Sequence, residues 1–154
     1  MKTQIRILSF IIALVTITVC FTGCAGNKED ISEVISSAQK VLINGTEVDT
    51  VEARMGAFQG KQGDYIEFIF SEPQKINTVH IIEKTTSVRQ FNIYADEHGK
   101  YKLLYTGKTI FNDTIPVEET ETSAIKIVIL NTEIGNDNFI IQGITAYNIT
   151  DKGE

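Results

Sequence analysis

The sequence has no tryptophan, two prolines, two histidines and two cysteines among its 154 residues. Because Cys20 and Cys24 both lie near the N-terminus, the rest of the chain has no thiol for a disulfide, a metal site or a nucleophile. His80 and His98 lack the HxxxH or HExxH spacing of a metal-binding helix. No serine lies in a nucleophile elbow, and no glycine-rich phosphate loop opens a helix. These absences predict a protein that is not an enzyme.

Concentrated positive charge is also lacking. The chain has 14 Lys and Arg against 20 Asp and Glu, a net charge of −6. Since Lys2 and Arg6 are the only charged residues before residue 24, the rest of the chain has 12 cations against all 20 acids, a net charge of −8. A surface that binds phosphates needs clustered Lys and Arg. The composition therefore excludes nucleic acid as a partner and disfavours docking on anionic lipid head groups.

The N-terminus has the three-part layout of a secretory signal. After Lys2 and Arg6, residues 7–21 form an uncharged run that is shorter than the roughly 20 residues needed to cross a bilayer. The run ends in Phe21-Thr22-Gly23-Cys24, which resembles the lipobox of bacterial lipoproteins, where the cysteine receives a diacylglyceryl group and becomes the first residue. We expect residues 1–23 to be a cleaved signal peptide and Cys24 to anchor the protein on the extracytoplasmic side of the bacterial cell membrane. Secretion without a lipid is the alternative.

The remaining chain is long enough for one domain with its own core. Residues 24–39 are predicted to comprise the lipidated cysteine, a short tether and a lead-in, in which residues 31–39 form either a helical turn or an irregular segment. Residues 40–148 are predicted to form the domain, and residues 149–154 a frayed tail.

From residue 65 onward, apolar and polar residues alternate with the period of β-strands. Within residues 65–70, Ile66, Phe68 and Phe70 share one face and Glu67 lies on the other. The predicted strands cover residues 65–70, 76–83, 90–95, 100–106, 124–130 and 139–148. Turn residues separate them at 71–74, where Pro73 interrupts the ladder, and at 96–99, which is predicted to be a hairpin turn. Short strands at this spacing predict one all-β domain, a sandwich or a barrel.

Three stretches of this pattern resemble the discoidin (coagulation factor 5/8 type C) domains. They are IEFIFSEPQKINTVHIIE at residues 66–83, VRQFNIYA at 88–95 and GKYKLLYTG at 99–107. The resemblance extends over about residues 40–148, since residues 124–127 and 140–147 also fit in order and spacing. These domains share the galactose-binding-like fold with carbohydrate-binding modules and with a domain that follows many bacterial fucosidases. The resemblance implies an eight-stranded jelly-roll β-sandwich that binds sugars through loops at one end.

Many members of that family also hold a structural calcium, and the resemblance places this site at Asp49, Thr50 and Gln142. Two positions depart from the family pattern. Glu52 stands where the family often has tryptophan, and Gln142 stands where it often has a glutamate that helps to bind calcium. Since a neutral amide is a poorer ligand for this hard cation than a carboxylate, we expect no cofactor, with calcium at these residues as the alternative.

Strand parity predicts which loops meet. If consecutive strands are antiparallel, residues 49–63, 84–89, 107–113 and 131–138 lie at one end of the sandwich, and residues 71–74, 96–99 and 118–123 lie at the other. Sugar recognition needs an apolar surface for the ring and planar polar groups for its hydroxyls. The first set of loops supplies both, in Arg54, Phe58, Gln59, Arg89, Phe111, Asn112, Asn136 and Asn138.

These candidates have structural alternatives. Phe58 or Phe111 would form the platform for the sugar ring, or each would be a core residue beneath a loop. Arg54 and Arg89 would contact hydroxyl groups, and the alternative for Arg89 is an ion pair or a packed stem. The asparagines are also ordinary turn residues.

These observations favour a membrane-anchored lipoprotein that binds a carbohydrate, such as a cell-wall sugar or a host glycan. The alternative is a protein-interaction module, an accessory part of an envelope complex that has the same fold without a sugar site. The missing tryptophan and the presence of Glu52 favour this alternative, because tryptophan is the best residue for stacking on a sugar.

Overall fold

The computed structural model describes residues 30–150. The predictions for the signal peptide, Cys24, the tether before residue 30 and the tail after residue 150 lie outside this range. Within it the elements are β1 (Asp30–Glu33), a 3-10 turn (Ile35–Ser37), β2 (Ala38–Ile43), β3 (Thr46–Glu47), α1 (Val51–Arg54), β4 (Phe58–Lys61), β5 (Tyr65–Glu83), β6 (Val88–Glu97), β7 (Lys100–Gly107), β8 (Asn112–Thr132) and β9 (Asn138–Thr150). In this part of the chain, no helix has the length and apolarity to cross a membrane.

Two long, bent strands create a sandwich of two layers. β5 has 19 residues and β8 has 21, and the two pair antiparallel with a register shift between Ile69 and Gln74. Residues 65–69 of β5 and 124–128 of β8 lie in a first sheet ordered β2-β5-β8-β6-β7, with β3 beyond β2. Residues 78–82 of β5 and 112–116 of β8 lie in a second sheet ordered β8-β5-β9, with β1 and β4 on the far edge of β9. The predicted all-β jelly-roll sandwich is confirmed.

Two predicted turns are instead bends inside strands. Residues 71–74 belong to β5 and residues 118–123 belong to β8, so the strands predicted at 65–70 and 76–83 are one strand. Extended backbone continues through a bulge, and the register shift leaves Pro73, which has no N–H, outside the ladder. The ladder is interrupted at Pro73 as predicted, but the chain does not turn there. Residues 31–39 contain most of β1, the 3-10 turn and the start of β2.

The alternating residues build the core between the layers. Ile66 and Phe68 of β5 and Ile125 and Ile127 of β8 are 0% exposed, and Ile93 of β6 packs with them. Each such side chain stabilises the fold by roughly 1.5–3 kcal/mol relative to leaving it in water. All of the core residues come from residues 34–146, so the described domain contains its own core.

The connections at one pole of the sandwich lie together. The N–H of Glu83 donates to the carbonyl of Phe111 (2.9 Å), and the N–H of Lys84 donates to the carbonyl of Ile140 (2.9 Å). These bonds place residues 84–87, 108–111 and 133–140 side by side, and residues 59–64 join them through the pairing of β4 with β9. We call these four segments the rim. The connections that follow β5, β7 and β8 therefore lie at one end, as strand parity predicts, whereas only the last part of the predicted 49–63 loop joins them.

The opposite pole holds the other set of loops and the start of the described chain. There the hydroxyl of Ser123 donates to the carboxylate of Asp96 (2.7 Å), which joins the bend in β8 to the end of β6. Asp30 of β1 pairs with Thr150 at the end of β9. The described part of the chain therefore begins and ends at the pole away from the rim.

Candidate functional site

The rim contains an open groove of about 420 Å³ between the end of β4 and the start of β9. Gln59 pairs with Ile140, and Lys61 pairs with Asn138, across these two strands. The groove is lined by Gln59, Gly60, Lys61, Asp64, Asn138, Phe139 and Ile140. Because Gln59, Lys61 and Asn138 are exposed, the groove offers two amide groups and one ammonium group to a ligand.

A tight turn fixes one wall of this groove. The carboxylate of Asp64 accepts the N–H of Lys61 (2.8 Å) and the side-chain amide of Asn44 (2.9 Å), and Asn44 in turn accepts the N–H of Tyr65 (2.9 Å). Gly60 leaves room for this carboxylate, because a Cβ at this position would clash with the side chain of Asp64 in its present position. The wall is therefore held by hydrogen bonds before any ligand arrives.

Among the described residues, three lysines of the rim, Lys61, Lys84 and Lys108, have no carboxylate partner. In residues 30–150, five cations form ion pairs, and none of these three lysines is among them. All three are exposed. Lys84 lies one strand away from the groove, since its N–H donates to Ile140. Their ammonium groups can donate to ligand hydroxyls or carboxylates.

Phe58 lies beneath the groove and is not a platform. It is 5% exposed, and its ring contacts that of Phe139 edge-on at 5.1 Å between centroids. Phe58 pairs with Ile141, which is also buried, so strand parity turns Phe58 inward and Gln59 outward. For Phe58 the core alternative is therefore correct, and the platform hypothesis is wrong.

Phe111 is the exposed aromatic residue of the rim. Its side chain is 58% exposed at the end of the 108–111 connection. Its carbonyl is bonded to Glu83, and the next residue, Lys84, is bonded to Ile140 of the groove. Since adjacent strands are about 4.8 Å apart, Phe111 lies roughly 10 Å from the groove floor along the rim. Asn112 follows it and bonds to His80 through a contact of 2.6 Å, so its amide oxygen is engaged.

Arg89 and Asn136 lie at the far side of the rim and are engaged by the protein itself. Arg89 pairs with Glu133 at 2.9 Å and donates to the carbonyl of Thr86 at 2.8 Å. The N–H of Asn136 donates to the carbonyl of Glu133 within a turn. These contacts match the ion-pair alternative for Arg89 and the turn alternative for Asn136.

Arg54 does not belong to the rim, which corrects its predicted grouping. Its guanidinium pairs with Asp49 at 2.6 Å and donates to the carbonyl of Ala38 at 3.2 Å. Ala38 pairs with Phe70, next to the bend of β5 and away from the rim. The prediction treated residues 49–63 as one loop, whereas α1 and β4 occupy most of it and carry Arg54 along the side of the sandwich.

The three predicted calcium ligands do not form a set of available oxygens. The carboxylate of Asp49 is bound to Arg54. The hydroxyl of Thr50 caps α1 by accepting the N–H of Ala53 at 3.1 Å. Gln142 is exposed at a bulge in β9. Within residues 30–150 no group of three or more His, Cys, Asp or Glu side chains could hold a metal. These residues therefore do not fit the calcium site that the resemblance implies.

A buried polar cluster under the rim was not predicted. Glu83 is 7% exposed, and its Oε1 accepts the N–H groups of Ser87 (2.6 Å) and Val88 (3.1 Å) and the hydroxyl of Thr85 (2.8 Å). Thr85 accepts the N–H of Ile140, and Ser87 donates to the carbonyl of Asn138. The cluster therefore ties the 84–87 connection to the groove wall. Strand alternation could have predicted the burial of Glu83, because residues 79, 81 and 83 of one strand share a face and Val79 and Ile81 face inward.

A second unpredicted cluster lies on the outer face of the first sheet. The ammonium of Lys126 is 3.4 Å from Glu67 and 3.8 Å from the centroid of the Tyr101 ring, and the hydroxyl of Tyr101 donates to Glu67. Burial, together with the hydrogen bond to Glu67, raises the pKa of Tyr101 above its usual range. Each of the three side chains has its charge or hydroxyl group paired within the cluster, so the cluster covers this face of the sheet and stabilises it.

Sequence comparison finds no matching protein-family model and no matching curated protein. Comparison with solved structures does find matches. The Clostridium perfringens module CpGH89CBM32-5, in complex with GalNAc-β-1,3-galactose, matches at TM-score 0.60 and 11% identity over 76% of this chain and 100% of the other. The family 32 carbohydrate-binding module of Clostridium perfringens NanJ, in complex with galactose, matches at TM-score 0.59 and 12% identity over 77% of this chain and 100% of the other.

A much longer chain also matches. A structure described as an α-L-fucosidase from Bacteroides thetaiotaomicron matches at TM-score 0.53 and 18% identity. The match covers 61% of this chain and 22% of the fucosidase chain. At these identities the likeness concerns the fold. The chain has the galactose-binding-like β-sandwich fold of carbohydrate-binding modules.

Proposed function

We propose that this protein binds a carbohydrate at its rim and does not catalyse a reaction. One observation carries the proposal: the groove between β4 and β9 presents the exposed side chains of Gln59, Lys61 and Asn138, and Phe111 is exposed on the same rim. Amides and ammonium groups can bond to vicinal hydroxyls, and an aromatic ring can lie against the C–H face of a sugar. The fold shared with carbohydrate-binding modules supports this use of the rim.

The proposed site is smaller than the set predicted from sequence. It retains Gln59, Phe111 and Asn138 and adds Lys61 and Lys84. Five predicted residues are left out. Arg54 is on the side of the sandwich, Phe58 is buried and Arg89 is paired with Glu133. The amide oxygen of Asn112 is bonded to His80, and Asn136 does not line the groove.

The test is a glycan-array screen followed by calorimetric titration of the best ligand into the chain without residues 1–24. Asn138→Ala should weaken binding by about tenfold, since losing a hydrogen bond to a ligand costs about 1 kcal/mol or more. Asn136→Ala is the matched control, because Asn136 is also exposed on the rim and does not line the groove. Wild-type protein that binds no glycan, or equal losses in the two variants, would refute the proposal.

We also propose that Cys24 carries a diacylglyceryl anchor. The lipobox-like residues 21–24 support this, as does the uncharged run at residues 7–21 that follows Lys2 and Arg6. Cys24→Ser should move the protein from the membrane fraction to the soluble fraction, whereas Cys20→Ser should not. Membrane attachment of Cys24→Ser would contradict the anchor.

A protein ligand is the second candidate. The burial of Phe58 favours it, because it removes one of the two aromatic residues that could have formed a sugar platform. Pull-down with cross-linking through the rim would then recover a specific envelope protein, and Asn138→Ala would weaken that complex while all glycans remain unbound.

A further inference from the structure

The rim differs in charge from the rest of the domain. Residues 30–150 contain 10 Lys and Arg against 17 Asp and Glu, which gives this part of the chain a net charge of −7. The four segments of the rim contain three lysines and three acids, so the whole excess of negative charge lies outside the rim. A negatively charged ligand is therefore repelled by most of the surface and least by the rim.

The acids of the rim are engaged by the protein or lie outside the groove. Asp64 lines the groove, but its two oxygens accept hydrogen bonds from the wall at 2.8 and 2.9 Å. Glu133 pairs with Arg89 at 2.9 Å. Asp137 is exposed but does not line the groove. Among the described residues, the charge at the groove that no protein group engages is therefore the positive charge of lysine.

Two of these lysines flank the start of β9 on the outer face of the second sheet. Lys61 is opposite Asn138 on one side of β9, and the N–H of Lys84 donates to the carbonyl of Ile140 on the other side. Alternation turns Lys84 outward, because Glu83 before it is buried. From the strand and residue spacings, the two lysine Cα atoms are roughly 12 Å apart. Since lysine has a long, flexible stem, both ammonium groups can reach a ligand that lies across the start of β9.

We propose that the glycan bound in this groove is acidic, an inference that rests on the proposed function and names the class of its ligand. Carboxylates on sugar rings and sulfate esters both offer negatively charged acceptor oxygens. The groove places the amide groups of Gln59 and Asn138 beside the ammonium group of Lys61, and hydrogen bonds from a cation to an anion are stronger than those between neutral groups. Lys84 binds the same anionic group or the next one along the glycan.

This ligand class agrees with the low number of cations in the chain. A nucleic acid has a phosphate at every nucleotide and requires many clustered Lys and Arg residues. A short acidic glycan has one charge per sugar at most positions, and two or three lysines are sufficient to contact it. The sequence composition therefore excludes the first partner without excluding the second.

The test is calorimetric titration of the full-length chain, kept in a nonionic detergent that contains no sugar, with matched pairs of trisaccharides. Each uronic-acid trisaccharide is compared with its carboxyl-reduced form, in which alcohols replace the carboxylates. A sulfated trisaccharide without carboxylates is compared with its desulfated form, so that the two sources of charge are distinguished. The acidic member of at least one pair should bind about tenfold more tightly than its neutral partner. Raising the salt concentration from about 0.01 M to about 1 M should remove most of this difference, because salt screens exposed charges.

Variants locate the effect on the surface. Lys61→Gln and Lys84→Gln should each weaken binding of the acidic trisaccharide by about threefold to fivefold, and they should change binding of its neutral partner by less than about twofold. Lys100→Gln is the matched control. Lys100 is also exposed and forms no ion pair within residues 30–150, but it lies in the hairpin at the opposite pole. This variant should bind both trisaccharides like the wild type.

The outcomes separate this inference from the proposed function. Equal affinity for the acidic and neutral members of every pair would overturn the inference and leave the carbohydrate site in place. Equal losses in Lys61→Gln and Lys100→Gln would also overturn it, since they would show that the charge does not act at the groove. Binding to no glycan of either kind would refute the proposed function itself.

Discussion

The cluster of Glu67, Lys126 and Tyr101 tests how the outer face of the first sheet is stabilised. The side chain of Glu67 is 11% exposed, and its carboxylate lies 3.4 Å from the ammonium of Lys126, whose side chain is 21% exposed. At an effective dielectric constant of 20, charges at this distance attract by about 5 kcal/mol, and the loss of hydration cancels much of that attraction. We expect Lys126→Met to lower the free energy of unfolding by about 2–3 kcal/mol, because it leaves a buried carboxylate with the Tyr101 hydroxyl as its remaining partner.

A double variant measures the interaction between Glu67 and Lys126 apart from their contacts with other residues. Glu67→Gln should cost about 1–2 kcal/mol, since Lys126 is more exposed and still contacts the rings of Tyr65 and Tyr101. Glu67→Gln with Lys126→Met should cost about 1 kcal/mol or less, because no charge is then buried. The chain has no tryptophan, so urea unfolding is followed by far-UV circular dichroism. Single costs that add up to the double-variant cost within about 0.5 kcal/mol would refute this reasoning, since they would show that the two charges do not interact.

Two further predictions concern single residues. Phe58→Ala should lower the free energy of unfolding by about 3–4 kcal/mol, because Phe58 packs on Phe139 in the core, whereas Phe111→Ala should cost less than about 0.5 kcal/mol; equal costs would contradict the positions of the two rings. The pKa of Tyr101 is raised above its usual value of 10.0 in the folded protein. As the pH rises above about 10, the unfolded chain loses this proton at a lower pH than the folded protein does. The free energy of unfolding should therefore decrease above about pH 10. Melting temperatures at pH 9 and pH 11 should fall less for Tyr101→Phe than for the wild type, and identical falls would contradict the prediction.

Strand parity predicted more of the site than residue type did. The alternation around Ile66 and Ile125 fixed which side chains face inward, and antiparallel order then placed residues 84–87, 108–111 and 133–137 at one pole. The same alternation places Glu83 inward, so the buried polar cluster of Glu83, Thr85 and Ser87 could have been predicted from the sequence.

Residue type alone could not separate Phe58 from Phe111. Both lie in apparent loops, and the difference arises because Phe58 begins an unrecognised four-residue strand that pairs with β9. Arg54 was misplaced for a related reason, since α1 is too short for a helical period to be visible. The bends in β5 and β8 depend on a register shift between strands that are distant in sequence, and local turn signals do not report such a shift.

The rim as a sugar-binding surface is tested most directly by mapping chemical-shift changes of the backbone amides while the best glycan is titrated. We predict changes at residues 59–61, 84, 111 and 138–140, where the groove and the exposed ring lie. Residues 71–74, 96–99 and 118–123 at the opposite pole should remain unchanged. Changes confined to that opposite pole, or to the outer face that holds Tyr101 and Lys126, would contradict the account.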